Sequence, residues 1–183
     1  MSSLSCPGAG RGRSVRPHTT MVQAQREGEC TLCLVREGSA TLLSRLTFNF
    51  SAVDGRLALA VGGLQGPRAG HKREVIDATR DLYGLRPKDA TLLAARVIAD
   101  GLDAAVHAVG DALHVHRRLS DDPKHSSYDA YWRERGATAG GPLGFVLPPL
   151  EALPPSLKRR DRAKRAIVEA ARRFLVARRQ PQS

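Results

Sequence analysis

One stretch, residues 56–110, constrains the fold more than any other part of the chain. It opens with a short apolar run, Leu57, Leu59 and Val61 with alanines between, the pattern of a buried strand. The run meets Gly62-Gly63, and a loop rich in glycine and proline is predicted from there to Gly70. Val75, Ile76, Thr79, Leu82 and Tyr83 then recur at helical spacing. Gly84 sits where a helix C-terminal glycine belongs, and Pro87 suits the first turn of a second helix reaching Gly101. Residues 104–109 read as another buried strand, closed by Gly110. A strand–loop–helix–helix–strand crossover makes its two strands parallel when they are neighbours. The chain is therefore expected to form an α/β (α+β) fold.

The flanks extend this unit. Leu46, Phe48 and Phe50 alternate with Thr47, Asn49 and Ser51, a period of two that marks a strand with one buried face. Asp54-Gly55 follows, a strong hairpin signal leading into the strand at 56–61. With the extended candidate at 29–36, residues 29–61 are predicted to form a three-stranded antiparallel meander, so the sheet is largely antiparallel with helices crossing between strands. Downstream, residues 128–135 read as a short helix with Tyr131 and Trp132 facing inward and Gly136 ending it. Residues 144–147 form a last short strand before Pro148-Pro149. Ser156 suits the cap of a final helix whose stripe is Ile167, Ala171, Phe174 and Leu175.

The net charge of +11 matters only by its placement. Residues 1–20 carry three arginines and no acid, and residues 156–183 carry ten Lys/Arg and two acids. Residues 21–155 balance sixteen basic against sixteen acidic side chains, so the body is neutral and the excess lies at the ends. This divides the chain into a disordered basic N-terminus (1–24), a single α/β domain (25–155) and a basic amphipathic C-terminal helix (156–183). Met21 is an alternative start to Met1. Basic ends of this kind either keep the protein soluble or meet an anionic partner, nucleic acid or anionic lipid. No apolar run approaches the ~20 residues of a membrane span, and the N-terminus lacks the apolar core of a secretion signal. Three cysteines form no disulfide framework, and the protein is read as cytoplasmic.

Several residues carry candidate chemistry. The loop at 62–70 precedes a helix N-terminus, where backbone N–H groups attract anions, and its glycines let a phosphate approach closely. Gln65, Gly66, Arg68, Gly70 and Lys72 are the candidate cofactor-binding residues, for acyl-CoA or another phosphate-bearing ligand; the bland alternative is a structural turn. The loop is similar in position and residue type to the pyrophosphate loop of GNAT-type acyltransferases, although a helix at 87–102 is extra to that pattern. His114-x-His116 offers metal ligands or a general base, but no carboxylate or thiol completes a familiar zinc set, so no metal is assigned. His107, on a buried strand, reads as a core histidine. Cys30 and Cys33 face opposite sides of a strand and read as packing residues. Trp132 reads as a core plug, whereas Tyr128 and Asp129 are polar enough to face a cleft. With His114 they are the catalytic candidates, and spacing does not single out a Ser–His–Asp set.

Four motifs in order resemble the VirK/YbjX family of Gram-negative bacteria: Gly63-Leu64-Gln65-Gly66, Leu85-Arg86-Pro87-Lys88, Val109 to His114, and Tyr128-Asp129-Ala130-Tyr131-Trp132. The resemblance covers about residues 29–175, without the longer helical region that family members usually carry before the first strand. It implies an accessory protein of bacterial virulence and of resistance to host antimicrobial peptides, with no settled catalytic activity. Two functions are therefore expected from different classes. One is a GNAT-like acyltransferase acting on an envelope component. The other is a non-catalytic binding module that uses the basic C-terminal helix.

Overall fold

The computed structural model describes residues 15–20, 27–67, 70–114, 127–153, 155 and 158–179. Its strands, in chain order, are β1 (Val15–Thr20), β2 (Cys30–Arg36), β3 (Leu42–Val53), β4 (Arg56–Gln65), β5 (Ala105–Val109), β6 (Thr138–Ala139) and β7 (Gly144–Val146). The helices are α1 (Lys72–Asp81), α2 (Pro87–Asp100), α3 (Tyr128–Arg133) and α4 (Arg159–Arg179). All the strands form one sheet in the order β1-β2-β3-β4-β5-β7-β6, antiparallel throughout except for the β4–β5 pair.

The expected meander is present, with Val53 opposite Arg56 across Asp54-Gly55. Both turn residues have positive φ, 51° and 75°, which aspartate tolerates and glycine prefers. The parallel pairing of β4 and β5 across the two-helix crossover also agrees with the sequence.

Two expectations are corrected. Residues 1–20 show no periodicity, yet Val15–Thr20 pairs antiparallel with β2, from Val15 opposite Arg36 to Thr20 opposite Thr31. Pairing to a preformed edge supplies what local patterning lacks. The second correction concerns Gly62-Gly63. They do not end the strand; β4 continues to Gln65, and the loop begins at Gly66. Thr47 pairs with Gly63 and Phe48 with Val61, so Gly62 is an extra residue, a β-bulge. Tight glycine pairs mark turns and bulges alike, and local sequence does not separate them.

The core lies between the sheet and α2. Leu46, Leu59, Val61 and Leu64 of the sheet are fully or almost fully buried, as are Ala95, Val97 and Ala99 of α2. Buried Ser44 of β3 donates to the Pro87 carbonyl at 2.9 Å and shares a hydrogen bond with Thr91, which fixes the start of α2 on the sheet. Arg36, buried on β2, reaches Asp81 and the Glu74 carbonyl of α1. α4 packs on α2 through Ile167, Ala170 and Ala171. Gly101 makes room there, since a Cβ on it would come within 2.5 Å of Leu175. Ser156, the expected cap of α4, lies outside the described residues.

Because Ile167 is 3% exposed, Ile167→Ala leaves a cavity at the α2–α4 contact. The substitution is expected to lower unfolding free energy by about 2–5 kcal/mol, read as a lower urea midpoint at unchanged m.

Candidate functional site

The parallel ladder between β4 and β5 ends at Val61 opposite Ala108. Beyond it β4 stays with β3 through Gly63, Leu64 and Gln65, while β5 stops at Val109 beside Gly144 of β7. The two strands thus separate at the Gly62 bulge, and the gap between their C-terminal ends is the candidate site. Such gaps are where open α/β sheets bind ligands.

Glu27 enters this gap from the stretch before β2. The backbone carbonyl of Glu27 lies where a Cβ on Gly62 would be, and its carboxyl oxygen lies where a Cβ on Gly63 would be. The glycine pair is therefore required by the approach of Glu27. The Glu27 side chain is only 8% exposed. Its carboxyl oxygens accept from Gln65 Nε2 at 2.8 Å and Thr47 Oγ1 at 3.1 Å, and His114 Nε2 lies 3.4 Å away. Arg45 Nη2 donates to Gln65 Oε1 at 2.6 Å. A carboxyl group out of water needs such partners, and each comes from a different part of the chain.

His114 is held by the turn after β5, where its backbone N–H donates to the Gly110 carbonyl. Its ring lies tilted against Tyr128 at 4.6 Å between centroids, and Tyr128 stacks on Trp132 at 6.0 Å. Trp132, fully buried, anchors α3 by donating to the Val109 carbonyl at 2.8 Å. The Tyr128 hydroxyl accepts from the Leu64 N–H at 3.0 Å and donates to the Leu64 carbonyl at 3.3 Å. The phenol thus occupies the backbone groups that β5 leaves without a strand partner. Burial pushes the Tyr128 hydroxyl up from 10.0 to about 12, so it is a proton donor at neutral pH.

Asp111 and Asp129 hold α3 at the gap. The Tyr128 N–H donates to Asp111 Oδ1, Ser127 Oγ donates to Asp111 Oδ2, and the Asp111 N–H donates to Asp129 Oδ1 at 2.7 Å. Ser127 Oγ also accepts from the Ala130 N–H, the N-cap contact of a helix start. Asp129 is thus engaged in positioning the helix that carries Tyr128.

At the mouth of the gap, Gly66 has open space around it, with Lys88 Cε 3.7 Å from the position of a Cβ. Lys88 is held below the usual lysine range, first by burial and then by the Arg135 guanidinium. Arg135 in turn lies over the Tyr131 ring at 3.3 Å, and its Nε donates to Asp89 at 2.8 Å. Asp89 also accepts from the Tyr131 hydroxyl at 2.9 Å. Burial and the adjoining Asp89 push the Tyr131 hydroxyl upward.

Of the residues singled out in the sequence, Gln65, Gly66, His114, Tyr128 and Asp129 meet at this gap or its mouth. Gln65 points to Glu27 and Arg45, not to the loop. Gly70 has φ 97° with nothing near a Cβ position, and Lys72 is exposed at the start of α1. Arg68 and His116 lie outside the described residues. Among the described residues no group of three or more His, Cys, Asp or Glu is placed to hold a metal ion. Cys30 and Cys33 are half-buried on β2. His107 is buried on β5, and its Nδ1 has no hydrogen-bond partner among the described residues.

Sequence reasoning missed Glu27, Thr47, Arg45, Lys88, Asp89 and Arg135. The signal for Lys88 was its place in the second motif, and Arg135 lies just beyond the fourth. Glu27 had none, because its role depends on the bulge.

All four motifs converge here: the end of β4, the start of α2, the turn after β5, and α3. A protein-family profile described as "Protein of unknown function (DUF535)" matches residues 18–175. The chain belongs to the DUF535 family, that of VirK and YbjX. It is 30% identical over 137 residues to "Uncharacterized protein YbjX" of Escherichia coli (strain K12), a match that covers 71% of this chain and 41% of that protein's length. The chain therefore spans about two fifths of the relative it matches. No solved structure matches it. Among the described residues no helix is long and apolar enough to cross a membrane.

Tyr128→Phe leaves the Leu64 N–H and carbonyl without the hydroxyl, at an expected cost of about 1–3 kcal/mol near neutral pH. The pH dependence has a defined sign. With the folded value about 12 and the unfolded value 10.0, the contribution is fully present below 10.0 and is lost as pH rises toward 12. Urea titrations across that window are expected to show a shallower loss in Tyr128→Phe than in the unaltered protein.

Proposed function

We propose that this VirK/YbjX-like protein is a GNAT-like acyltransferase, with an acyl-CoA as donor and a component of the bacterial envelope as acceptor. One observation carries the reading: a bulged strand splits from its parallel neighbour and runs into a glycine–proline loop and a helix, with Glu27, His114 and Tyr128 at the apex of the split. The resemblance to pyrophosphate loops rests on Gly66 to Lys72, now joined by Lys88, a cation beside open backbone at Gly66. The donor would supply an activated acyl group and a thiol leaving group.

The chain's own groups fit the proton movements of such a transfer. An acceptor amine must lose a proton, and the departing sulfur must gain one. His114, with Glu27 3.4 Å from its Nε2 to hold the imidazolium, suits the first task at its other ring nitrogen. Tyr128, kept protonated by burial, suits the second at its hydroxyl. For a donor chain to lie along β4, the hydroxyl must leave Leu64; its 3.3 Å bond to the Leu64 carbonyl is long for an O–H donor. The envelope acceptor and the role in virulence and antimicrobial-peptide resistance are parts of this proposal supported by the family resemblance alone, and a cytoplasmic site of action is proposed with them.

The competing reading, a binding module acting through α4, draws support from the exposed Arg159, Arg162, Arg172 and Arg173. Calorimetry with coenzyme A and acetyl-CoA separates the two. Binding by the unaltered protein is expected, weakened about 10- to 100-fold in Lys88→Ala by loss of a charge-assisted contact, at an unchanged melting curve. No detectable binding by the unaltered protein would remove the acyltransferase reading and leave the interaction module.

A further inference from the structure

A second concavity, of about 430 Å³, lies between α2, the C-terminal end of α3, the chain after β7, and α4. It adjoins the mouth of the β4–β5 gap at Asp89 and Arg135, but neither Glu27, His114, Tyr128 nor Gly66 lines it. Its size is that of a small-molecule site. Its lining includes the aliphatic side chains Leu92, Leu93, Leu150 and Leu153. It also includes the cations Arg96, Arg135, Arg160 and Lys164.

The acids in the same wall are largely engaged. Asp89 accepts from Arg135 and Tyr131, and Glu134 accepts from Arg135 at 3.1 Å. Glu151 faces Arg96, whose Nη2 donates to the Pro148 and Pro149 carbonyls. The buried Arg96 Nε has no hydrogen-bond partner among the described residues. Arg160 has no ion-pair partner among them either, and Lys164 reaches Asp161 only at 4.0 Å. Arg160 and Lys164 stand four residues apart on α4, so they share one face of the helix. Desolvation depresses Arg96, which is the state of a cation whose counter-charge is incomplete.

We propose that this cavity binds a single-chain amphiphile with an anionic head group, a carboxylate or a phosphate monoester on one acyl chain. The chain lies against Leu92, Leu93, Leu150 and Leu153, and the head group meets Arg160 and Lys164, with Arg96 beneath. A wholly apolar ligand would leave Arg160 without a counter-charge. A free inorganic anion would leave the leucines wet. Only a molecule with both parts matches both kinds of lining. Arg160 is exposed, so the head group can exchange with solvent while the acyl chain is covered.

The test uses cis-parinaric acid, a fluorescent fatty acid, with displacement by palmitate, lysophosphatidate, hexadecanol and inorganic phosphate. Palmitate or lysophosphatidate is expected to displace the probe, and whichever is tighter identifies the head group. Hexadecanol is expected to compete at least about tenfold more weakly, the loss of one charge-assisted contact. Inorganic phosphate alone is expected not to displace it. Leu93→Trp fills the cavity and is expected to abolish probe binding. Arg160→Glu, on the surface, is expected to weaken palmitate about tenfold and to leave hexadecanol unchanged. Melting curves of both variants serve as folding controls, and Arg160→Glu carries the test if Leu93→Trp does not fold. Absence of probe binding, equal displacement by hexadecanol and palmitate, displacement by phosphate alone, or an Arg160→Glu variant indistinguishable from the unaltered protein would each overturn the proposal. Coenzyme A binding does not enter any of these readouts, so this proposal and the acyltransferase reading fail separately.

Discussion

The burial of Glu27 under the Gly62-Gly63 bulge is the constraint on which the rest of the site depends. A carboxyl group taken out of water must be met by polar partners, and the protein supplies them from three places: Thr47 on β3, Gln65 at the end of β4, itself held by Arg45 of β3, and His114 after β5. Side chains larger than glycine at 62 or 63 would collide with Glu27, so the strand must carry glycines where strand propensity opposes them. The bulge coincides with the point where β4 and β5 part, and the separation creates space for Tyr128, His114 and Trp132. One buried carboxyl group thus connects a local irregularity in a strand to the placement of an aromatic helix.

The crossover at 56–110 was legible because its elements follow regular periods and end at residues with few conformational options. Pro87 fixes the first turn of α2, and Gly84, at φ 87°, closes the end of α1. Where a period was absent, or where a residue had two readings, the sequence misled. Gly62-Gly63 has the composition of a turn and the geometry of a bulge, and the difference lies in Glu27, a residue distant in sequence. Val15–Thr20 contains a proline and no alternation; its pairing is set by the free edge of β2.

The site itself was half legible. His114, Tyr128 and the Gln65-Gly66 end of β4 could be named from motifs, because the motifs occupy the ends of β4 and β5 and the start of α3. Their working partners could not. Asp89 and Arg135 form their pair across 46 positions of sequence, and Glu27 meets Gln65 across 38. Asp129 shows the opposite failure: a polar residue beside Tyr128 looked available for chemistry, but its carboxylate holds the Asp111 N–H and Arg133. Polarity in a motif does not distinguish a group that reacts from one that positions its neighbour.

Tyr128 takes the place of a strand partner for Leu64 on the side that β5 leaves, and so holds the β4–β5 gap in its present form. Amide hydrogen exchange read by NMR tests it residue by residue. In the unaltered protein the Leu64 N–H is expected to exchange as slowly as those of the paired core strands. In Tyr128→Phe it is expected to exchange much faster, while the amides of Leu59 and Val106, within the paired region of β4 and β5, keep their protection. Unchanged protection at Leu64 in the variant, or loss spread evenly over both strands, would contradict the account.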